Sequence, residues 1–198
     1  LNVSGSLFDG NRAIFAGGAV YAQDLQVHTS VANSTFTNNQ IITATANVGG
    51  GALYNVGVLT LTNSTLSSNI SASEGGGLYV ASGSGTVCNS TISGNAARGS
   101  GGGSAGFSSS AVFPIQLGLN NVTLSDNTAD LDNNNLGDGG GMAVTSSFMT
   151  MTVTNSIVAG NFDTPNNLGA GTVQPDCSGE LAAVHFTLIG RDDGCTVA

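Results

Sequence analysis

The sequence has no lysine. Its cations are Arg12, Arg98 and Arg191, set against twelve Asp and Glu, for a net charge of −9. Neutralising a phosphate backbone needs a basic patch that three scattered arginines cannot supply, so nucleic acid is excluded as a partner. An anionic membrane surface is disfavoured for the same reason. No apolar run approaches the ~18 residues of a spanning helix, no leader-like stretch opens the chain, and membrane insertion is not expected. No window carries a 3.6-residue apolar stripe with caps, which removes the helical solenoids. Tryptophan is absent, and proline and cysteine number three each.

What fills the chain instead is Gly, Asn, Ser and Thr, arranged in a repeat. Its core is Asn-Ser-Thr-Φ-x-x-Asn, with Φ apolar. It runs from Asn33 to Asn39, Asn63 to Asn69, Asn89 to Asn95 and, as Asn-Val-Thr-Leu, from Asn121 to Asn127. A degenerate copy spans Gly5 to Asn11, and Asn155 to Asn161 carries Ile157 in place of Thr. The closing asparagines, Asn11, Asn39, Asn69, Asn95, Asn127 and Asn161, recur at intervals of between 26 and 34 residues. Glycine runs follow five of them, at 17–18, 49–51, 75–77, 101–103 and 139–141. A fixed motif on a varying period means coils of constant cross-section bearing loops of different length, which is a solenoid.

The apolar residues before each opening Asn alternate, as in Leu59 and Leu61 or Met151 and Val153, with Thr between. Period two with Thr, Val and Leu describes strands. The expected fold is all-β: one right-handed parallel β-helix domain over 1–198, of about six rungs, with three short strands and three turns in each. Regular rungs occupy 1–161, and 162–198 reads as a loop excursion (162–175) followed by a modified C-terminal rung that acts as a cap. Insertions are read at 41–48, 105–118 and 126–138.

Asparagine tolerates the left-handed corner of a rung. Its amide also offers a donor and an acceptor, so stacked asparagines can form a ladder. Two such columns are expected: the closing asparagines above, and Asn33, Asn63, Asn89 and Asn121. The Φ residues Phe8, Phe36, Leu66, Ile92, Leu124 and Val158 should point inward. Six Asn-x-Ser/Thr sequons, at Asn2, Asn33, Asn63, Asn69, Asn89 and Asn121, belong to this repeat and are expected to be unmodified.

Cys177 and Cys195 frame the terminal segment. A disulfide closing their roughly 18-residue loop would contribute about 3 kcal/mol and imply an oxidising compartment. Cys88 takes the place that Thr62 and Thr154 hold in other rungs and reads as a small side chain.

The Phe8-Asp-Gly-Asn11 and Phe36-Thr-Asn-Asn39 segments, with Gly17-Gly-Ala-Val20, resemble the paired repeats of polymorphic outer-membrane protein passengers. The ending, Asn155-Ser-Ile-Val-Ala-Gly-Asn161 with Pro175-Asp-Cys-Ser-Gly179, Leu188-Ile-Gly190 and Gly194-Cys195, resembles secreted bacterial β-helix proteins of the choice-of-anchor type. The likeness covers essentially the whole chain. It implies an extracellular or cell-surface setting and a structural or adhesive role without a defined catalytic site.

The residues offer little catalysis. A lyase of the β-helix type would need a basic residue beside a calcium cluster, and a glycosidase needs paired carboxylates. Asp9 and Asp126 alone fall near the Φ-x-x-Asn corner, four rungs or about 19 Å apart at ordinary strand spacing, too far for hydrolysis. His28 and His185 have no evident partner. Asp130, Asp132, Asn134 and Asp138 place hard oxygens at alternate positions, as calcium loops do, but without the Gly at position six or the closing Glu. The segment reads first as a solvated acidic loop, with calcium the one cofactor to test.

One outer face carries Thr60/Thr62, Thr86/Cys88 and Thr152/Thr154, interrupted by Ser30/Ala32 and Gly118/Asn120, and suggests ordered water of the ice-binding kind or plain β-propensity. Leu1 and Val3 align with Leu59 and Leu61, so the chain enters a strand at once. That edge predicts end-to-end self-association, or continuation into a larger surface protein. A glycan or host-surface ligand is the remaining partner class. The expectation is a non-enzymatic extracellular scaffold, with carbohydrate binding or processing as the alternative.

Overall fold

A computed structural model describes residues 1–44, 48–134, 136–164, 173 and 175–198. Among these residues every regular element is a strand. The strands pair in parallel and stack as a β-solenoid of about six turns.

One complete turn shows how the sequence makes the coil. Leu53–Thr62 runs along the first side, Thr65–Ser67 along the second and Ile70–Ser71 along the third. Three left-handed corners join them. Asn63 turns the first (φ 49°), Ser68 the second (φ 56°), and Gly75 the third (φ 59°). The same corners recur on other turns as Asn33, Asn89, Asn121 and Asn155, as Asn38, Gly94, Asp126 and Gly160, and as Gly17, Gly50, Gly101 and Gly139. The glycine that follows the third corner is required for a different reason. A Cβ on Gly51 would stand 2.2 Å from the Gly76 carbonyl oxygen of the next turn. The backbones are stacked too closely there for any side chain.

Register is kept from turn to turn. Val31, Leu61, Val87, Leu119, Val153 and Val184 form one inward column. Phe8, Phe36, Leu66, Ile92, Leu124, Val158 and Ile189 form a second. Phe8 and Phe36 stack with centroids 4.6 Å apart, and from Phe36 to Val158 the column is fully buried. Each such Phe or Leu contributes roughly 1.5–3 kcal/mol by leaving water, but only because its neighbours above and below cover it.

Some boundaries differ from the sequence reading. Phe162–Asp163 is no excursion, since it pairs with Thr128–Ala129 as the last member of the third-side sheet. The rest of that stretch, at 165–172 and 174, lies outside the described residues, as does 45–47 of the insertion at 41–48. The insertion read at 105–118 is shorter, because Ala105 and Gly106 pair with Tyr79 and Val80 while Ile115–Gly118 pairs with Gly83–Thr86. Residues 177–198 continue the stack through Cys177–Leu181, Ala183–His185, Leu188–Ile189 and Cys195–Val197.

Candidate functional site

The closing asparagines line up in one column, and their hydrogen bonds all run one way. Asn39 donates from its backbone N–H and from Nδ2 to Asn69 Oδ1, each at 2.9 Å. Asn69 donates likewise to Asn95 Oδ1, Asn95 to Asn127 Oδ1 and Asn127 to Asn161 Oδ1, at 2.8–3.1 Å. Asn11 opens the series on Asn39. The second Nδ2 proton reaches back to the previous turn, to Phe8, Phe36, Leu66, Ile92 and Leu124 carbonyls in succession. From Asn39 to Asn161 the column is buried, and every amide proton in it has an acceptor. Buried polar groups so matched stabilise modestly, yet cost heavily when one partner is removed.

The ladder ends on a different residue. Asp176 Oδ1 accepts from Asn161 N and Nδ2 at 3.0 and 2.8 Å, and its Oδ2 accepts from Arg191 N at 2.7 Å. A carboxylate has no proton to pass on, so the one-way series closes there. Asp176 sits 15 residues after Asn161, far from the repeat interval, and sequence reasoning missed it for that reason. Next to it is the disulfide expected from the sequence, Cys177–Cys195, with Cα atoms 5.5 Å apart. Cys88 is a free thiol.

The second expected ladder is not one. Asn33, Asn63, Asn89 and Asn121 occupy the first corner with φ of 49–60° and exposed side chains. Among the described residues, one pair of them is joined, Asn121 Nδ2 to Asn89 Oδ1 at 3.0 Å. Their role is conformational: the corner demands φ > 0, and asparagine tolerates it. The inner ladder here belongs to the next residue. Ser34 N donates to Ser64 Oγ and Ser64 N to Ser90 Oγ, both at 3.1 Å, while Ser6 N and Val122 N donate to Ser34 and Ser156 Oγ. Each serine hydroxyl donates in turn to the carbonyl two residues back.

Outside the corner, Thr35, Thr65, Thr91 and Thr123 form one outward column and Thr37, Ser67, Ser93 and Ser125 the next. This array is more regular than the threonine face expected around Thr60 and Thr62. There, Ser30, Thr60, Thr86, Gly118 and Thr152 share one column and Ala32, Thr62, Cys88, Asn120 and Thr154 another.

Asp9 and Asp126 do not converge: Asp9 shares a column with Thr37, whereas Asp126 is a second-corner residue. Asp9 Oδ1 accepts from Asn38 Nδ2. His28 pairs with Val58, and His185 is exposed. Of the acidic loop, Asp130 is buried and its Oδ1 caps Asn134 N at 2.9 Å, while Asn134 Oδ1 caps Leu136 N. Asp132 and Asn134 face solvent. Burial and the charge of Asp130 raise the Asp138 carboxyl above the usual range. Among the described residues no three His, Cys, Asp or Glu converge as a metal site. Leu1 is half exposed, and Val3 packs partly buried against the core.

Two features lay outside the repeat's logic. Tyr21, Tyr54 and Tyr79 pile on successive turns with centroids 5.1 and 5.7 Å apart. Glu74 is partly buried near the end of the pile, with its Oε2 out of solvent. Desolvation raises its carboxyl above the ordinary value, offset in part by the Tyr79 hydroxyl, and the tyrosine is pushed well up by burial and then by Glu74. Glu74 Oε2 and the Tyr79 hydroxyl nevertheless miss hydrogen-bonding geometry.

The second feature is a groove of about 380 Å³ beside this pile. Tyr54, Val56, Ala81 and Ser82 line it from the paired strands, Leu25 from one turn, and residues 107–110 with Phe113 from the insertion. Comparison with protein-family models, with curated proteins and with solved structures finds no match for the chain.

Proposed function

We propose that this chain is a non-catalytic structural module of the cell exterior, a stiff β-solenoid that spaces or displays its loops as a surface scaffold or adhesin does. The observation that carries the reading is the unbroken amide ladder from Asn11 to Asp176, buried from Asn39 onward. Backbone pairing and this ladder fix each turn to the next, and serine hydroxyls add a further bond at four of the steps. The last rung is held by the Cys177–Cys195 disulfide. That bond points to an oxidising, non-cytoplasmic setting, and the resemblance of the repeat segments to those of secreted bacterial β-helix proteins is what supports placing it at the cell surface or beyond. Antibodies raised against the folded domain test the reading on intact cells of the source organism. Labelling without permeabilisation, with both cysteines oxidised, is expected. Labelling only after permeabilisation, with free thiols at 177 and 195, would overturn it.

A further inference from the structure

The groove beside the tyrosine pile is more finished than a gap between loops. Ser108 Oγ donates to the Phe113 carbonyl at 2.7 Å, and Ser82 Oγ reaches the same oxygen. Ser146 Oγ holds the Ser108 carbonyl from the next turn. The loop is therefore pinned at both ends, while the Phe113 ring stays 50% exposed at the rim. The half-exposed ring is therefore held at a fixed place where a ligand could stack on it. Opposite it, Leu25 rides on a turn fixed by Gln26 N donating to Asp24 Oδ1. The base rests on paired strands. A preformed concavity of this size is at the lower end of the ~300–1,000 Å³ typical of small-molecule sites.

From this geometry we infer that the groove is a binding site for a neutral saccharide, one or two sugar rings at a time. The lining chemistry selects the ligand class. None of the ten lining residues is charged, so an ion entering the groove would lose its hydration without a partner. The chain's net charge of −9 further disfavours anions. Four of the ten are serines; Ser82, Ser108 and Ser110 already bond within the protein, but Ser109 is exposed, and a wholly apolar occupant would cover its hydroxyl without satisfying it. Sugar rings present C–H faces to aromatic walls such as Phe107 and Phe113, and hydroxyl edges to Ser109 and to the remaining acceptor sites of the other serines. No carboxylate lines the groove, so the paired-carboxylate route to glycoside cleavage is missing there. The site holds its ligand uncleaved. This inference goes beyond the scaffold reading and does not depend on it, since a saccharide site can fail while surface exposure stands.

The test is an NMR titration of the intact chain with cellobiose and, separately, with N,N′-diacetylchitobiose. At least one sugar should shift resonances of Tyr54, Phe107, Ser109 and Phe113 in a saturable way and leave the Asn ladder unmoved. Phe113→Ala should weaken that binding at least about tenfold with an unchanged melting temperature, because the ring is exposed. Ser109→Ala should weaken it less. Absence of shifts at millimolar sugar overturns the proposal, as does binding that survives both substitutions. Saturable shifts with an apolar probe such as n-octanol, and none with either sugar, would overturn it in favour of an apolar-peptide groove.

Discussion

Two columns of asparagine run along this molecule six positions apart, one through Asn39, Asn69, Asn95 and Asn127, the other through Asn33, Asn63, Asn89 and Asn121. They share residue type and period, and they do unlike things. The first is buried, and its amides pass hydrogen bonds from turn to turn. The second is exposed and serves the backbone, at φ near 50–60°. The difference lies in whether the side chain at that position points into the coil or out of it. An inward amide must match every donor and acceptor or pay the desolvation of each orphan. An outward one is free to bond water, and only its tolerance of the left-handed region matters.

Substitutions should separate the columns, and the largest effect belongs to the buried one. Asn95→Ala removes the acceptor of Asn69 N and Nδ2, together with the donor to Leu66 O and Asn127 Oδ1. It should cost about 3 kcal/mol, the upper range for stranding buried polar groups, read from the shift in urea midpoint at constant slope. A loss under about 1 kcal/mol would mean that the ladder is ornamental. Next comes the end of the ladder. Asp176→Asn keeps one acceptor for Asn161 but sets an NH2 against Arg191 N–H. About 1–2 kcal/mol should be lost, and exchange protection should fall first in residues 177–198.

The partly buried Glu74 offers a contrast to the satisfied ladder. Its folded pKa lies above the ordinary 4.5, so between those two values the folded state binds more protons than the unfolded state. The stability it contributes is fully present below about pH 4.5 and is lost as pH rises through the folded value. Glu74→Gln should therefore be more stable than the parent at neutral pH, with the advantage vanishing in acid. Melting curves at several pH values decide this, and an advantage that instead grows in acid would refute the assignment. The smallest effects belong to the exposed column. Asn89→Gly should change stability by less than about 0.5 kcal/mol, whereas Asn89→Ala should lose about 1 kcal/mol to the left-handed corner. Equal effects of Gly and Ala in thermal melts would argue against a conformational role.

Much of the fold was legible because the repeat is local. Leu59, Leu61 and Leu66 announce the inward columns by alternation, and the closing asparagines announce the ladder by recurrence. The serine ladder went unread because Ser34, Ser64 and Ser90 sit inside a motif whose asparagine drew both roles, conformational and hydrogen-bonding. Corner φ cannot be told from a buried ladder when both select asparagine. Asp176 escaped because its place in the column is fixed by space, with 15 residues where the repeat has about 30. The groove escaped for a similar reason. Phe107 and Phe113 lie in an insertion, and what they face depends on turns whose sequence does not mention them.

The contrast between the columns is tested most directly without mutation, by hydrogen exchange of asparagine side-chain amides in the folded protein. The Nδ2 protons of Asn39, Asn69, Asn95, Asn127 and Asn161 should exchange slowly, protected to nearly the same degree as the core backbone amides. Those of Asn33, Asn63, Asn89 and Asn121 should exchange at close to the free-amide rate. If both sets exchange together at the solvent rate, the buried ladder does not hold the stack.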